Sequence, residues 1–343
     1  MPWPANYSAP GHHSIFQNRE ITLNRRTFAS LGLSTAAAAA THTTNLWAEA
    51  AKTAVNGRYF HIAVVADSHI IDSEYHGHED TPEDTESLYH TSTRLTAARD
   101  LINSLSPRIE QVFHLGDYFH DYPSTDYDFY FTHRTRVDIA KEITDGFHAP
   151  MHLLLGNHDY GVPGVSREFT HRLFLAKYGT QPYSAIDYKG WKFLRLNCFL
   201  GDTWDTKSPL YDQGIGSLGE QQLQWAEAQL AEGKPTIVFV HYPLWIVAPT
   251  EVADFGLHPL LRKYREHIKL VVSGHWHKWI DFAHTFGPQH YVMAATRYDA
   301  NAYMLLEIDR QSQTCRFINA PLVEWSTHYS RPYRGILDRP HNS

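Results

Sequence analysis

From Arg58 onward, short apolar runs alternate with amphipathic stretches. Residues 58–67, RYFHIAVVAD, are apolar until they stop on a carboxylate, the pattern of a buried strand. Residues 87–105 place Leu88, Leu95, Ala98, Leu101 and Leu105 near one face, which predicts a helix closed by Ser106-Pro107. Further strands are expected at 109–117 (IEQVFHLGD), 149–159 (APMHLLLGNHD), 235–244 (PTIVFVHYPL) and 268–277 (IKLVVSGHWH). Helices are expected at 135–145, 165–178, 217–233 and 258–267. The third of these starts with Ser217 as N-cap and Glu220 completing a capping box, and Gly233 lies beyond its end. Residues 181–199 read as a hairpin turning at Tyr188-Lys189-Gly190-Trp191, and the segments after 290 alternate like an antiparallel sheet. Residues 70–86 and 118–134 read as loops. No repeat or linker divides 58–320, so the pattern predicts one α/β domain with interleaved strands and helices, placed at 51–325 with an irregular tail at 326–343.

Composition narrows the class. The 343 residues are 43% hydrophobic and 13% aromatic, enough for a sizeable core and too apolar for a disordered chain. Formal net charge is −7, which argues against sequence-independent binding to a nucleic-acid backbone. No apolar run is long enough for an ordinary transmembrane helix. The N-terminus carries Arg25, Arg26 and Phe28, then the weakly hydrophobic run ASLGLSTAAAAA and an Ala48-Glu49-Ala50 cleavage pattern. This resembles a twin-arginine export signal in residues 1–50, and predicts engagement of the twin-arginine machinery and a periplasmic or extracellular protein. The two cysteines, Cys198 and Cys315, are read either as separate thiols or as one disulfide.

The strand ends carry the chemistry. Apolar strands terminate in Asp67-Ser68-His69, Gly116-Asp117, Gly156-Asn157-His158-Asp159, His241 and Gly274-His275-Trp276-His277. In open α/β sheets, sites lie at the carboxyl ends of strands. One polar strand end means little, because turns and satisfied core residues are common there. Five such ends in one chain, all drawn from Asp, Asn and His, point to a metal. Asp67, His69, Asp117, Asn157, His241, His275 and His277 are too many donors for one tetrahedral zinc and suit two ions sharing a carboxylate. Imidazole and carboxylate donors without thiolate favour manganese, iron or zinc. On a straight strand His275 and His277 would point to opposite sides, so both reach a shared centre only if Gly274 bends the chain.

The set D-x-H, G-D, G-N-H-D, a lone His after a strand and G-H-x-H, spanning residues 60 to 280, resembles the calcineurin-like metallophosphoesterase superfamily. The resemblance implies a four-layer α/β/β/α sandwich of two mixed β-sheets flanked by helices, with a dimetal site at the strand C-terminal ends. It implies that Asp67, His69 and His277 hold one metal, Asn157, His241 and His275 the other, and that Asp117 bridges. It further implies in-line attack of a metal-bound hydroxide on a small phosphomonoester or phosphodiester substrate. His158 would then protonate the leaving oxygen or stabilise the phosphoryl oxygens, and Asp159 would orient it. Purple acid phosphatases carry D-x-D and a tyrosine three positions after the G-D aspartate, where this chain has His69 and His120; a tyrosinate-bound ferric ion is therefore not expected.

Several residues have two open readings. His120 either supports a ligand or lies at the surface, and Arg297 either meets a phosphate or makes a structural ion pair. Tyr118, Phe119, Tyr122, Tyr127, Phe129, Tyr130 and Phe131 either wall a pocket or pack over the core. His76 and His78 read as solvated. Competing functions are a binding protein that keeps the fold without catalysis, against which the full donor set argues, and a nuclease, against which the acidic charge argues.

Overall fold

The structure is a computed structural model that describes residues 57–326. The export signal expected in 1–50 and, apart from Ser326, the tail expected at 326–343 lie outside the described residues. The chain runs β1 (Tyr59–Val65), α1 (Pro82–Leu88), α2 (Thr91–Ser104), β2 (Gln111–His114), α3 (Phe129–Thr132), α4 (Arg136–Thr144), β3 (Met151–Leu153) and α5 (Arg167–Tyr178). It continues with β4 (Ser184–Tyr188), β5 (Trp191–Leu196), α6 (Glu220–Leu230), β6 (Thr236–Val240), α7 (Leu257–Lys263), β7 (Ile268–Ser273), β8 (Ile280–Ala283), β9 (His290–Val292), β10 (Tyr303–Asp309) and β11 (Thr314–Phe317).

Two mixed sheets result, ordered β11-β10-β1-β2-β3 and β4-β5-β6-β7-β9-β8. Their centres are parallel: β1 with β2, β2 with β3, β5 with β6, β6 with β7 and β7 with β9. Antiparallel strands close the edges. The two sheets pack face to face. Phe60, Ile62, Val64 and Phe113 from one meet Trp191, Phe193, Ile237, Phe239, Leu270 and Val272 from the other. The opposite face of the first sheet, Ala63, Val65 and Val112, lies under Ala98 and Ile102 of α2. The opposite face of the second, Leu194, Val238, Val240 and Val271, lies with Leu223, Ala226 and Leu230 of α6 and Leu257, Leu260 and Leu261 of α7. This is the expected α/β/β/α arrangement. Burial on both faces explains why the central strands read as continuous apolar runs. The alternation expected at the C-terminal end holds in β9 and β11 and fails in β10, all seven of whose residues are buried.

Local signals account for the boundaries. Thr135 caps α4 in a capping box with Asp138. Ser166 caps α5, whose end turns on Gly179 at φ 64°. The β4–β5 hairpin turns on Lys189 and Gly190, both at positive φ as a type I′ turn requires. Other local expectations fail. The 118–134 segment, expected as loop, holds the short helix α3, and the helix expected at 87–105 is split between α1 and α2 at Tyr89-His90. The capping box of Ser217 and Glu220 does not form: α6 starts at Glu220 after Gly219, and the Ser217 hydroxyl pairs with Thr203 instead. Part of the 70–86 segment is helical, because Thr81 caps α1 by accepting from the Asp84 amide, with Pro82 at the first helical position. Both cysteines are free thiols, Cys198 buried in the core and Cys315 on β11. Among the described residues, no helix is long and apolar enough to cross a membrane.

Candidate metal centre

Because β1, β2 and β3 run parallel in one sheet and β6 and β7 in the other, their carboxyl ends meet at one edge of the sandwich. Backbone hydrogen bonds lock the exits together. Asp67 N donates to Gly116 O at 3.0 Å, His69 N to Asp117 O at 2.9 Å, and Gly274 N to His241 O at 3.0 Å. Glycine is required where these exits cross. A Cβ on Gly156 would stand 2.3 Å from both the amide nitrogen and Oδ1 of Asp117, and one on Gly116 would stand 2.6 Å from Gly156 N. The chain is also bent into the left-handed region at Asp67, His69, Asp117, His275 and His277, with φ between 46° and 68°. Each such residue costs on the order of 1–3 kcal/mol and persists only where the surrounding structure imposes it. That bend lets His275 and His277 aim at different places two residues apart.

The expected donors gather in two groups, and a third possible group joins His69 to His120 and His158. Asp67, His69, Asp117 and His277 form one and Asp117, His241 and His275 the other, with ligating atoms in each group within 4.8 Å of one another. Asp117 belongs to both: its Oδ2 lies 3.5 Å from His69 Nε2 and 3.3 Å from His241 Nε2. Asn157 Oδ1 joins the second group, 3.0 Å from His241 Nε2 and 2.9 Å from His275 Nδ1. Asp67, His69, Asp117 and His241 are buried. His158 and His277 are 31% and 22% exposed, so the centre opens to solvent on their side.

Three observations test whether a cation fits. Asp67 Oδ2 is buried and accepts no hydrogen bond, an arrangement that is costly for a carboxylate oxygen without a counter-charge. His69 Nε2 and His277 Nε2 face each other at 3.1 Å, with room for at most one proton between two lone pairs. His241 Nδ1 donates to Leu115 O at 2.8 Å, which leaves Nε2 to face the centre. The residues present therefore suit metal ions. Burial keeps His69 and His275 well below the usual imidazole range despite the Asp117 charge, so both are neutral donors. Burial also disfavours a charged His241, but Asp117 outweighs it and raises His241 to about 9; a bound cation has to displace that proton. Asp117 itself is held well below the carboxylate range, because His241 and His158 outweigh its burial.

The sequence matches the calcineurin-like phosphoesterase family over residues 60–279, the span that contains every donor named above. The chain belongs to the calcineurin-like phosphoesterase family. Similar solved structures include a dimetal phosphatase from Danio rerio, at 17% identity and TM-score 0.49, covering 72% of this chain and 92% of that one. Purple acid phosphatase PPD1 from yellow lupin (Lupinus luteus) seeds is 15% identical at TM-score 0.43, covering 82% and 55%. Calcineurin-like phosphoesterase YfkN from Bacillus subtilis is 14% identical at TM-score 0.41, covering 76% and 88%. No curated protein matches the chain.

In this calcineurin-like phosphoesterase the partner of His158 is not the expected one. His158 Nδ1 donates to Asp121 Oδ1 at 3.0 Å. Asp159, fully buried, accepts instead from the backbone amides of Gly156 at 2.7 Å and Tyr118 at 3.0 Å, so its carboxylate ties two strand exits together. Burial, with Asp117 nearby, keeps Asp159 above the ordinary carboxylate range. Burial lowers His158, but Asp117 and Asp121 outweigh it and raise His158 to about 9. The positive φ of Asp121, 56°, is a backbone signal that sequence reading does not expose.

The residues with two open readings now resolve. His120 is buried and stacks on His158 with ring centroids 4.7 Å apart. Arg297 makes a structural ion pair, donating to Glu79 Oε2 at 2.9 Å and to Ser87 Oγ at 2.8 Å. The aromatic segment packs rather than lining a pocket. Tyr118, Phe119 and Tyr130 are fully buried, Tyr122, Tyr127 and Phe129 pack against the core, and Phe131 is exposed. His76 and His78 are exposed and belong to neither donor group. Sequence reading also missed His114. This neutral histidine lies beneath the centre, lowered to about 3 by burial; it accepts from Gly116 N at 3.2 Å and donates to Ser68 Oγ at 2.8 Å.

Proposed function

We propose that this chain is an exported hydrolase of phosphomonoesters or phosphodiesters. The observation that carries the reading is the placement of His158. It is a proton-bearing imidazole on the solvent side of two complete donor groups, with its ring 4.8 Å from that of His69. Asp67, His69, Asp117 and His277 would hold one metal and Asp117, Asn157, His241 and His275 the other, with manganese, iron or zinc suited to these donors. Metal ions bound there supply Lewis acidity toward phosphoryl oxygens and lower the pKa of a water.

The protein's own residues do the rest. His158 hands its Nε2 proton to the departing alkoxide, while Asp121 at Nδ1 keeps the ring oriented and stabilises its charged form. His158 N donates to Asp117 Oδ1 at 2.8 Å, which fixes the acid relative to the shared carboxylate. Asp159 keeps the Gly156 and Tyr118 exits in register and acts on the site only through them. Export rests on the Arg25-Arg26 leader, and the partners proposed are a small phosphorylated ester and the twin-arginine machinery. A panel of mono- and diesters on metal-analysed mature protein tests the reading. Hydrolysis of at least one class at two bound metals supports it. Two bound metals with no turnover of any ester favours a non-catalytic binding role.

A further inference from the structure

Behind the first donor group a line of side chains leads away from the centre. His69 Nδ1 lies 3.0 Å from His120 Nδ1, His120 Nε2 lies 3.1 Å from Glu79 Oε1, and Glu79 Oε2 accepts from Arg297 Nη2 at 2.9 Å. Arg297 is itself pinned by Ser87 Oγ at 2.8 Å and by Asp84 O at 2.8 Å. His69 and His120 are buried, so their ring nitrogens have little recourse to water. We propose that Glu79 and His120 are positioning residues that set the tautomer of His69 and so keep its Nε2 lone pair aimed into the metal centre. This rests on the metal reading above.

The assignment follows from counting donors and acceptors. An ionised carboxylate only accepts, so Glu79 takes the proton of His120 Nε2. A neutral His120 then has a bare Nδ1, which can only accept. His69 must supply the proton from its own Nδ1, and its Nε2, facing Asp117 and His277, is left with the lone pair a metal needs. Each proton in the line is fixed by the one before it, and the first is fixed by the charge on Glu79. The acidic stretch that contributes Glu79 is thereby part of the site, although Glu79 touches neither donor group.

The line makes an asymmetric prediction for Glu79→Gln. Arg297 can only donate, so the glutamine oxygen turns to Arg297 and its amide nitrogen faces His120 Nε2. Every proton in the line then reverses, and His69 presents an N–H to the metal centre. The test uses 15N-histidine-labelled protein and long-range 1H–15N correlation spectra of the metal-free chain, followed by titration with Zn2+. In the wild type His69 carries its proton on Nδ1; in Glu79→Gln it carries it on Nε2, and affinity for the first Zn2+ falls about 10–100-fold. A second pair guards against a folding artefact. His120→Asn keeps an acceptor near the Nδ1 position and recovers most of the affinity that His120→Leu loses. An unchanged His69 tautomer in Glu79→Gln, or equal Zn2+ affinity of the Asn and Leu variants, overturns the proposal. A wild type that binds no Zn2+ overturns the metal reading instead, and the metal-free spectra still report the tautomer.

Discussion

Replacing Asp121 with asparagine removes the charge that faces His158 without changing the size of the side chain. The two groups meet at 3.0 Å. Unit charges at that distance attract by roughly 1.4 kcal/mol in water and roughly 5.5 kcal/mol at an effective dielectric of 20. The Asp121 side chain is 59% exposed, so screening places the interaction toward the lower end, about 1–3 kcal/mol. At 1.36 kcal/mol per pH unit this is a fall of about one to two units in the pKa of His158. The sign is fixed by the chemistry. Asp121 stabilises the imidazolium, so its loss releases the proton at lower pH, and the alkaline limb of kcat/KM moves down. Bound cations offset the contribution of Asp117, so the wild-type limb lies below the value of about 9 that applies without them. The assay compares pH profiles for an alkyl or phenyl ester with those for a nitrophenyl ester of the same phosphate class. A nitrophenolate leaves without a proton, so its profile should respond less. If the alkyl-ester limb stays in place in Asp121→Asn, His158 is not the acid.

Other consequences are open to direct measurement. Asp117→Asn removes the one carboxylate common to both donor groups, so bound metal falls below two equivalents by elemental analysis and ester hydrolysis falls by more than about 100-fold. Gly156→Ala forces a methyl group to within 2.3 Å of Asp117, costing about 1–3 kcal/mol in chemical denaturation, with a parallel loss of metal affinity; an unchanged midpoint would show that the strand exits can part. Asp72 and Arg136 form a buried pair, Nη2 to Oδ1 at 3.0 Å, that ties the segment after β1 to α4. Asp72→Ala strands the guanidinium and costs about 3–5 kcal/mol, read as a lower Tm. Burial raises Asp72, but Arg136 outweighs it and holds the carboxyl below its usual value. The pair's stabilisation is therefore full above the unfolded carboxyl pKa of about 3.9 and is lost as pH falls through the lower folded value.

What the sequence determined by itself was short-range. Apolar runs ending in Asp, Asn and His marked β1, β2, β3, β6 and β7 and the residues that leave them, because strand burial and strand termination are written in consecutive residues. The Lys189-Gly190 turn was of the same kind, set by chemistry within a few positions, whereas the Ser217 cap expected from the same short range did not form and Thr135 and Ser166 emerged as caps only in the structure. The Thr81-Pro82 start of α1 was equally legible, but the acidic residues around it read as loop. Only the tertiary structure decided which polar group faces which. Asp121, not Asp159, meets His158, because Asp159 is drawn under the loop by two backbone amides from different exits. Glu79 reaches His120 across 41 residues of sequence, and Arg297 reaches Glu79 across 218, so no local pattern connects them. Donors are chosen by residue type and can be read along the chain. The partners that set their protons are chosen by distance, which exists only once the two sheets have packed.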